Sequence, residues 1–88
     1  MTWAWEFEGE ARREFNRLDF AAQKRIIRYL DTRIIGGDPR RFGQPLRSDL
    51  HGLWRWRVGD YRLIGQIKDG VWLILIVRVA HRSTVYED

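Results

Sequence analysis

The chain has no cysteine at all, which excludes both a disulfide framework and a thiolate metal site. Its only two histidines are His51 and His81, and no acidic cluster accompanies them, so a structural zinc site is not expected. Proline is confined to two positions, Pro39 and Pro45, inside a glycine-bearing stretch from 36 to 52 that reads as a loop region. That stretch lacks a Lys-Ser/Thr ending, so Gly36 to Gly43 is no P-loop phosphate cradle. The longest apolar run, Val71 to Val77, is far short of the roughly 18 residues needed to cross a bilayer. The opening residues alternate like a strand and carry glutamates, which is not the pattern of a signal peptide. A small, soluble, cytosolic domain is expected, with no membrane contact.

What is present is a dense apolar supply and an excess of arginine. Of 88 residues 44% are hydrophobic, and five are Trp. A chain this short buries only about 60% of its unfolded surface, so it has room for one core, and residues 1–88 read as a single domain. Sixteen basic residues face twelve acidic ones, and all but Lys24 and Lys68 of the sixteen are Arg. Arginine binds phosphate through a planar fork and stays charged when buried. A basic composition of this kind fits nucleic-acid contact, although codon bias explains it equally well until positions are considered.

Hydrophobic periodicity predicts an α+β fold of order βααβββ. Trp3, Trp5 and Phe7 alternate with polar residues as in a half-buried strand. Ala11, Phe15 and Leu18 then recur at helical spacing. Asp19 is placed to cap a second helix from Phe20 to about Ile35, whose apolar face would be Ile26, Ile27, Leu30 and Ile34, with Gly36-Gly37 as the stop. Strand patterns return at Leu53–Val58, Tyr61–Lys68 and Val71 to about Ala80, joined by two-residue turns at Gly59-Asp60 and Asp69-Gly70. The last strand is apolar on both faces and is expected to be central. The helical hairpin should pack on one face of a mostly antiparallel four-stranded sheet. Trp3, Trp5, Trp54, Trp56 and Trp72 all read as core.

Charge placement singles out one end of that sheet. A two-residue turn at Gly59-Asp60 sets Arg57 opposite Arg62, with Arg55 on the same face, although like charges in that relation destabilise a sheet. The only acids between Leu53 and Tyr86 are Asp60 and Asp69, both in predicted turns. A two-residue turn at Asp69-Gly70 would pair Arg62 with Val77, bringing His81 to the same face with Arg82 and Tyr86 nearby. Such a set suits cleavage of a phosphodiester. Arginines neutralise the phosphate, His81 offers an imidazole that can serve as base or acid, and an arginine cluster favours the Tyr86 phenolate. An RNA substrate supplies its own nucleophile as the 2′-hydroxyl, and without carboxylates in the patch a two-metal mechanism is not expected. The alternative is a solvated basic face with no task. His51 reads as a loop residue.

The run Leu53-Trp54-Arg55-Trp56-Arg57-Val58-Gly59-Asp60-Tyr61-Arg62-Leu63-Ile64, preceded by Pro45-Leu46-Arg47 and followed by Val79-Ala80-His81-Arg82 and Val85-Tyr86, resembles the RelE/ParE toxin superfamily over essentially the whole chain. The resemblance implies a toxin of a type II toxin–antitoxin pair. RelE-like members cut mRNA in the ribosomal A site through the RNA 2′-hydroxyl, whereas ParE-like members poison DNA gyrase without a full catalytic set. By position, Arg55 and Arg57 stand where RelE toxins carry two basic substrate-binding residues. Arg62 matches the arginine that stabilises the phosphate, Arg82 the residue assigned to the leaving group, and Tyr86 the tyrosine that stacks on or activates the nucleotide. Two departures stand out: arginines replace lysines on the first of these strands, and His81 replaces a different residue. The sequence ends at Asp88, so no helix is expected after Tyr86. The retained Arg62, Arg82 and Tyr86 favour the RelE-like branch, a metal-independent endoribonuclease needing no cofactor. The expected partners are a RelB-like antitoxin, the ribosome and mRNA, with DNA contacted only through the antitoxin.

Overall fold

The computed structural model describes residues 2–46 and 52–82; Tyr86, Val85, Arg47 and His51 lie outside these. The described elements are β1 (Ala4–Phe7), α1 (Gly9–Asn16), α2 (Phe20–Tyr29), a wide helical turn (Leu30–Ile35), β2 (Gly43–Pro45), β3 (Leu53–Val58), β4 (Tyr61–Lys68) and β5 (Leu73–His81). The five strands form one sheet in the order β1-β5-β4-β3-β2, with β1 parallel to β5 and every other pair antiparallel. The α+β layering and the internal position of β5 agree with the hydrophobic pattern. The strand count does not, because the pattern predicts a loop where β2 forms.

β2 escapes a sequence reading because Gly-Gln-Pro has no strand signature, and proline belongs only at sheet edges. Its place is fixed by Trp56, which is fully buried and donates its indole N–H to the Pro39 carbonyl at 2.8 Å. Gly43 pairs with Trp56, and a Cβ on it would lie 2.6 Å from the indole nitrogen. On the other side a Cβ on Gly65 would lie 3.2 Å from the same ring. Two glycines thus make the slot for the largest core side chain.

Asp19 caps α2 as expected, accepting the Ala22 N–H at 2.8 Å. The buried residues of this helix are Ala22 and Ile26, continued by Leu30 and Ile34, each four positions apart. In an α-helix such a stripe drifts about 40° per step. The wider turn of residues 30–35 swings it back toward the sheet, where Ile26, Leu30 and Ile34 meet Trp56, Leu63, Ile74 and Ile76. Ile27, expected in that face, instead lines an outer groove with Phe15 and Phe20.

The β4–β5 connection also departs from expectation. Instead of a two-residue Asp69-Gly70 turn, residues Asp69–Val71 form a 3-10 turn and Trp72 adopts a left-handed conformation with φ 54°. Tertiary contacts outweigh the local signal here. Arg40 grips Asp69 with two hydrogen bonds of 2.9 and 2.6 Å, and the Trp72 ring packs 5.0 Å from that of Trp3. Val71 is exposed and outside the sheet. Register therefore starts at Lys68↔Leu73, and a bulge shifts it once more between Ile64 and Gly65. The bulge coincides with a close approach of backbones, since a Cβ on Gly65 would lie 2.7 Å from the Leu75 carbonyl oxygen.

Candidate phosphodiester site

The β3–β4 hairpin places the central arginines. Gly59 has φ +59° and is the first turn residue, which suits a tight primed connection. Arg57 lies directly opposite Arg62, and Arg55 lies opposite Ile64 on the same face. The far side carries Trp56, Val58 and Leu63 into the core. A period of two thus separates a helix-packed apolar face from an arginine-bearing one.

The end of β5 completes the arrangement. The Arg82 backbone N–H donates to the Asp60 carbonyl at 2.6 Å, tying the strand's exit to the hairpin turn. Arg57, Arg62 and Arg82 then line one depression of about 190 Å³, together with Gly59, Asp60 and Tyr61. Arg82 Nε lies 3.7 Å from the Asp60 carboxylate, a loose contact between two exposed side chains. Among the described residues Arg57 and Arg62 make no ion pair.

Not every expected member reaches this depression. Arg55 shares the face but is only 8% exposed, and its guanidinium donates to Gln44 Oε1 on β2. It supports the arginine face from beneath the β2 edge. His81 is the clearer correction. The longer turn and the bulge set Ala80, not Val77, opposite Arg62, so His81 pairs with Tyr61 and falls on the other face. Its ring meets the Tyr61 ring edge-on at 5.3 Å. Tyr86 lies outside the described residues. Asp60 reads in the sequence only as a turn residue, yet it is the carboxylate of the depression; its proximity to Arg82 depends on a register that the local turn signals do not reveal.

A partly buried ion pair supports the site from behind. Where β1 ends, β5 would expose an unpaired edge, and Glu14 of α1 fills it. Its carboxylate accepts the Val79 N–H at 2.8 Å and three hydrogen bonds from Arg78, two from a shared Nε–H at 3.1 and 3.0 Å and one from Nη2 at 2.7 Å. Burial pushes the Glu14 carboxyl up, but the hydrogen bonds from Arg78 and Val79 and the charges of Arg78 and Arg17 outweigh it, leaving it below its ordinary value. The strand segment leading to Arg82 is thereby held after its bulge.

A second surface lies on the helices. Phe15, Phe20 and Ile27 line an open, mainly apolar groove of about 570 Å³ with Gln23, Lys24, Arg28, Asp31 and Thr32 at its margins. Phe20 is 75% exposed, unusual for an aromatic of this size.

Comparison with known proteins gives a consistent picture. Residues 4–86 match a family described as "ParE toxin of type II toxin-antitoxin system, parDE". Toxin RelG of Mycobacterium tuberculosis is 31% identical over 86 residues, covering 98% of each protein. Toxin RelE of the same organism is 47% identical over 49 residues, which are 56% of this chain and 50% of that protein, so the chain spans about half the length of this relative. The crystal structure of the RelBE2 toxin–antitoxin complex from M. tuberculosis contains a chain that superposes with a TM-score of 0.86 at 30% identity, covering 93% of this chain and 100% of that one.

Proposed function

Because the chain belongs to the ParE toxin family of type II toxin–antitoxin systems, we propose that this toxin acts by cutting ribosome-bound mRNA. The observation that carries the reading is the convergence of Arg57, Arg62 and Arg82 on one depression whose only carboxylate among the described residues is Asp60. Transfer of the RNA 2′-oxygen to phosphorus builds negative charge on the non-bridging oxygens, and forked guanidiniums are suited to hold it. Arg62 takes the phosphate in this reading, flanked by Arg57. Arg82, restrained near Asp60, faces the leaving oxygen. Arginines do not exchange protons near neutral pH, so proton transfer is assigned to Tyr86. His81 holds Tyr61 at the sheet's end and is given no phosphate contact. The names RelE and RelG of the relatives favour this branch.

The reading is tested by primer extension on a reporter mRNA in a purified translation system. Discrete cuts within ribosome-occupied codons, absent without ribosomes and absent for Arg62→Ala, are expected. Intact mRNA would overturn it. The matching family's ParE description supports a second reading, inhibition of DNA gyrase; loss of supercoiling with mRNA intact would establish that instead.

The antitoxin partner follows from the same kinship, since the M. tuberculosis neighbour is a toxin–antitoxin complex. We assign the groove of Phe15, Phe20 and Ile27 to an amphipathic segment of a RelB-like antitoxin, with Lys24 meeting its acidic side chains.

A further inference from the structure

We propose that the groove between α2 and the β3–β4 turn is a second phosphate-binding stretch, which holds the RNA strand as it leaves the depression. This rests on the reading of the depression as an RNA site. The groove has a volume of about 290 Å³ and is lined by Arg25, Arg28, Tyr29, Thr32 and Arg33 from the helical side and by Arg57, Val58 and Gly59 from the hairpin. Arg57 lines both cavities, so the cations run without a break from Arg62 to α2. Arg25 and Arg28 are three positions apart on α2, and Arg33 of the wide turn lines the same groove.

Three features point to an anionic strand. First, among the described residues no carboxylate lines the groove, and none of Arg25, Arg28, Arg33 and Arg57 makes an ion pair. Elsewhere Arg13, Arg40 and Arg78 have each found an acid. Like charges left together without a counterion are unfavourable until an anion arrives. Second, the turn is shaped around a guanidinium. A Cβ on Gly59 would lie 2.6 Å from Arg25 Nη1, so the absence of a side chain at this φ +59° position seats Arg25 against the turn beside Arg57. Third, the groove offers a peptide little exposed apolar surface, since its one aromatic, Tyr29, is half-buried. The exposed large hydrophobic residues among those described are Phe20, Phe42 and Val71, and none of them lines it. A protein partner draws most of its affinity from buried apolar or aromatic anchors, whereas RNA phosphates need only the cations.

The test measures binding of the full-length protein to a short single-stranded RNA with every 2′-hydroxyl methylated, which prevents cleavage, by fluorescence anisotropy over a salt series. Replacing Arg25 and Arg28 together by alanine removes two phosphate contacts. The slope of log affinity against log salt should flatten by about 1.4, or 0.7 per contact. The control Arg12→Ala/Arg17→Ala removes equal charge from α1 and the residue that follows it, and should leave the slope near that of the native protein. An unchanged slope for the α2 variant, an equal flattening in the control, or no RNA binding by the native protein at low salt would each overturn the proposal. Weakened binding to a RelB-like antitoxin with unchanged RNA binding would also overturn it and give the groove to the antitoxin. Cleavage lost in Arg62→Ala while the α2 variant still binds RNA normally would refute this stretch and leave the nuclease reading standing.

Discussion

Arg57 and Arg62 occupy one rung of the β3–β4 hairpin, side by side on the face turned away from the helices. Neither has a carboxylate partner among the described residues, and a directly opposed like-charged pair costs a sheet up to about 1 kcal/mol. Folding alone does not account for that pairing, whereas the proposed sharing of a phosphate between them would.

Removing one member should therefore separate stability from activity. Arg62→Ala should keep or slightly raise the melting temperature, because repulsion with Arg57 is relieved. Cleavage should fall by about 10²–10³-fold, the usual loss when one group stabilising a transition-state oxyanion is deleted. Thermal melts and induced expression in a growth assay check both halves. Undiminished growth inhibition by a well-folded variant would remove Arg62 from the site.

Much of this is legible in the sequence because it depends on short-range pattern. The period-two alternation around a Gly-Asp turn fixes both the register and the face of Arg57 and Arg62. The Asp19 cap and the stripe of Ile26, Leu30 and Ile34 follow from spacing alone. What escapes a sequence reading depends on contacts distant in the chain. Arg40 and Trp3 reshape the turn at Asp69–Trp72, and Gly65 admits the bulge; each moves the register of β5, and together they carry His81 to the opposite face. β2 likewise exists because Trp56 needs a cover, which nothing in Gly43-Gln44-Pro45 announces.

The apolar groove on the helices makes a separate prediction. Phe20 is largely solvent-exposed, so Phe20→Ala should alter stability by no more than about 0.5 kcal/mol. If the antitoxin segment anchors there, its affinity should drop by about 2 kcal/mol, near thirtyfold. Calorimetric titration of the cognate antitoxin into native and variant toxin measures this. Equal affinities would move the antitoxin contact elsewhere.

The Trp56 slot can be tested by filling it. At Gly65 a new Cβ would meet the Leu75 carbonyl, a backbone atom that cannot swing aside, as well as the Trp56 ring. Gly65→Ala should cost about 2–3 kcal/mol, the upper range for overpacking a tight core. At Gly70 a new Cβ would meet nothing within 4 Å, and the backbone there has no positive φ, so Gly70→Ala should be nearly neutral. Urea denaturation of the two variants gives the comparison, and similar midpoints would show that the strands can part at Gly65.

The Glu14 clasp ties stability to pH in a defined direction. Its carboxyl is held below the ordinary value in the folded protein by Arg78 and the Val79 N–H, against the opposing effect of burial. The unfolded chain therefore takes up the proton first as pH falls. The stabilisation is fully present above the unfolded carboxyl's pKa and is lost as pH drops through the lower folded value. Glu14 is only 15% exposed, so its charged hydrogen bonds escape most solvent screening. Glu14→Gln should cost about 2 kcal/mol at neutral pH, within the range for hydrogen bonds to a charged group. The gap from the native protein should close on acidification, because protonated Glu14 no longer offers a carboxylate to Arg78. Chemical denaturation of both proteins at neutral and acidic pH decides the matter, and a gap that stays constant through the carboxylate range would show that Glu14 acts through its shape and not its charge.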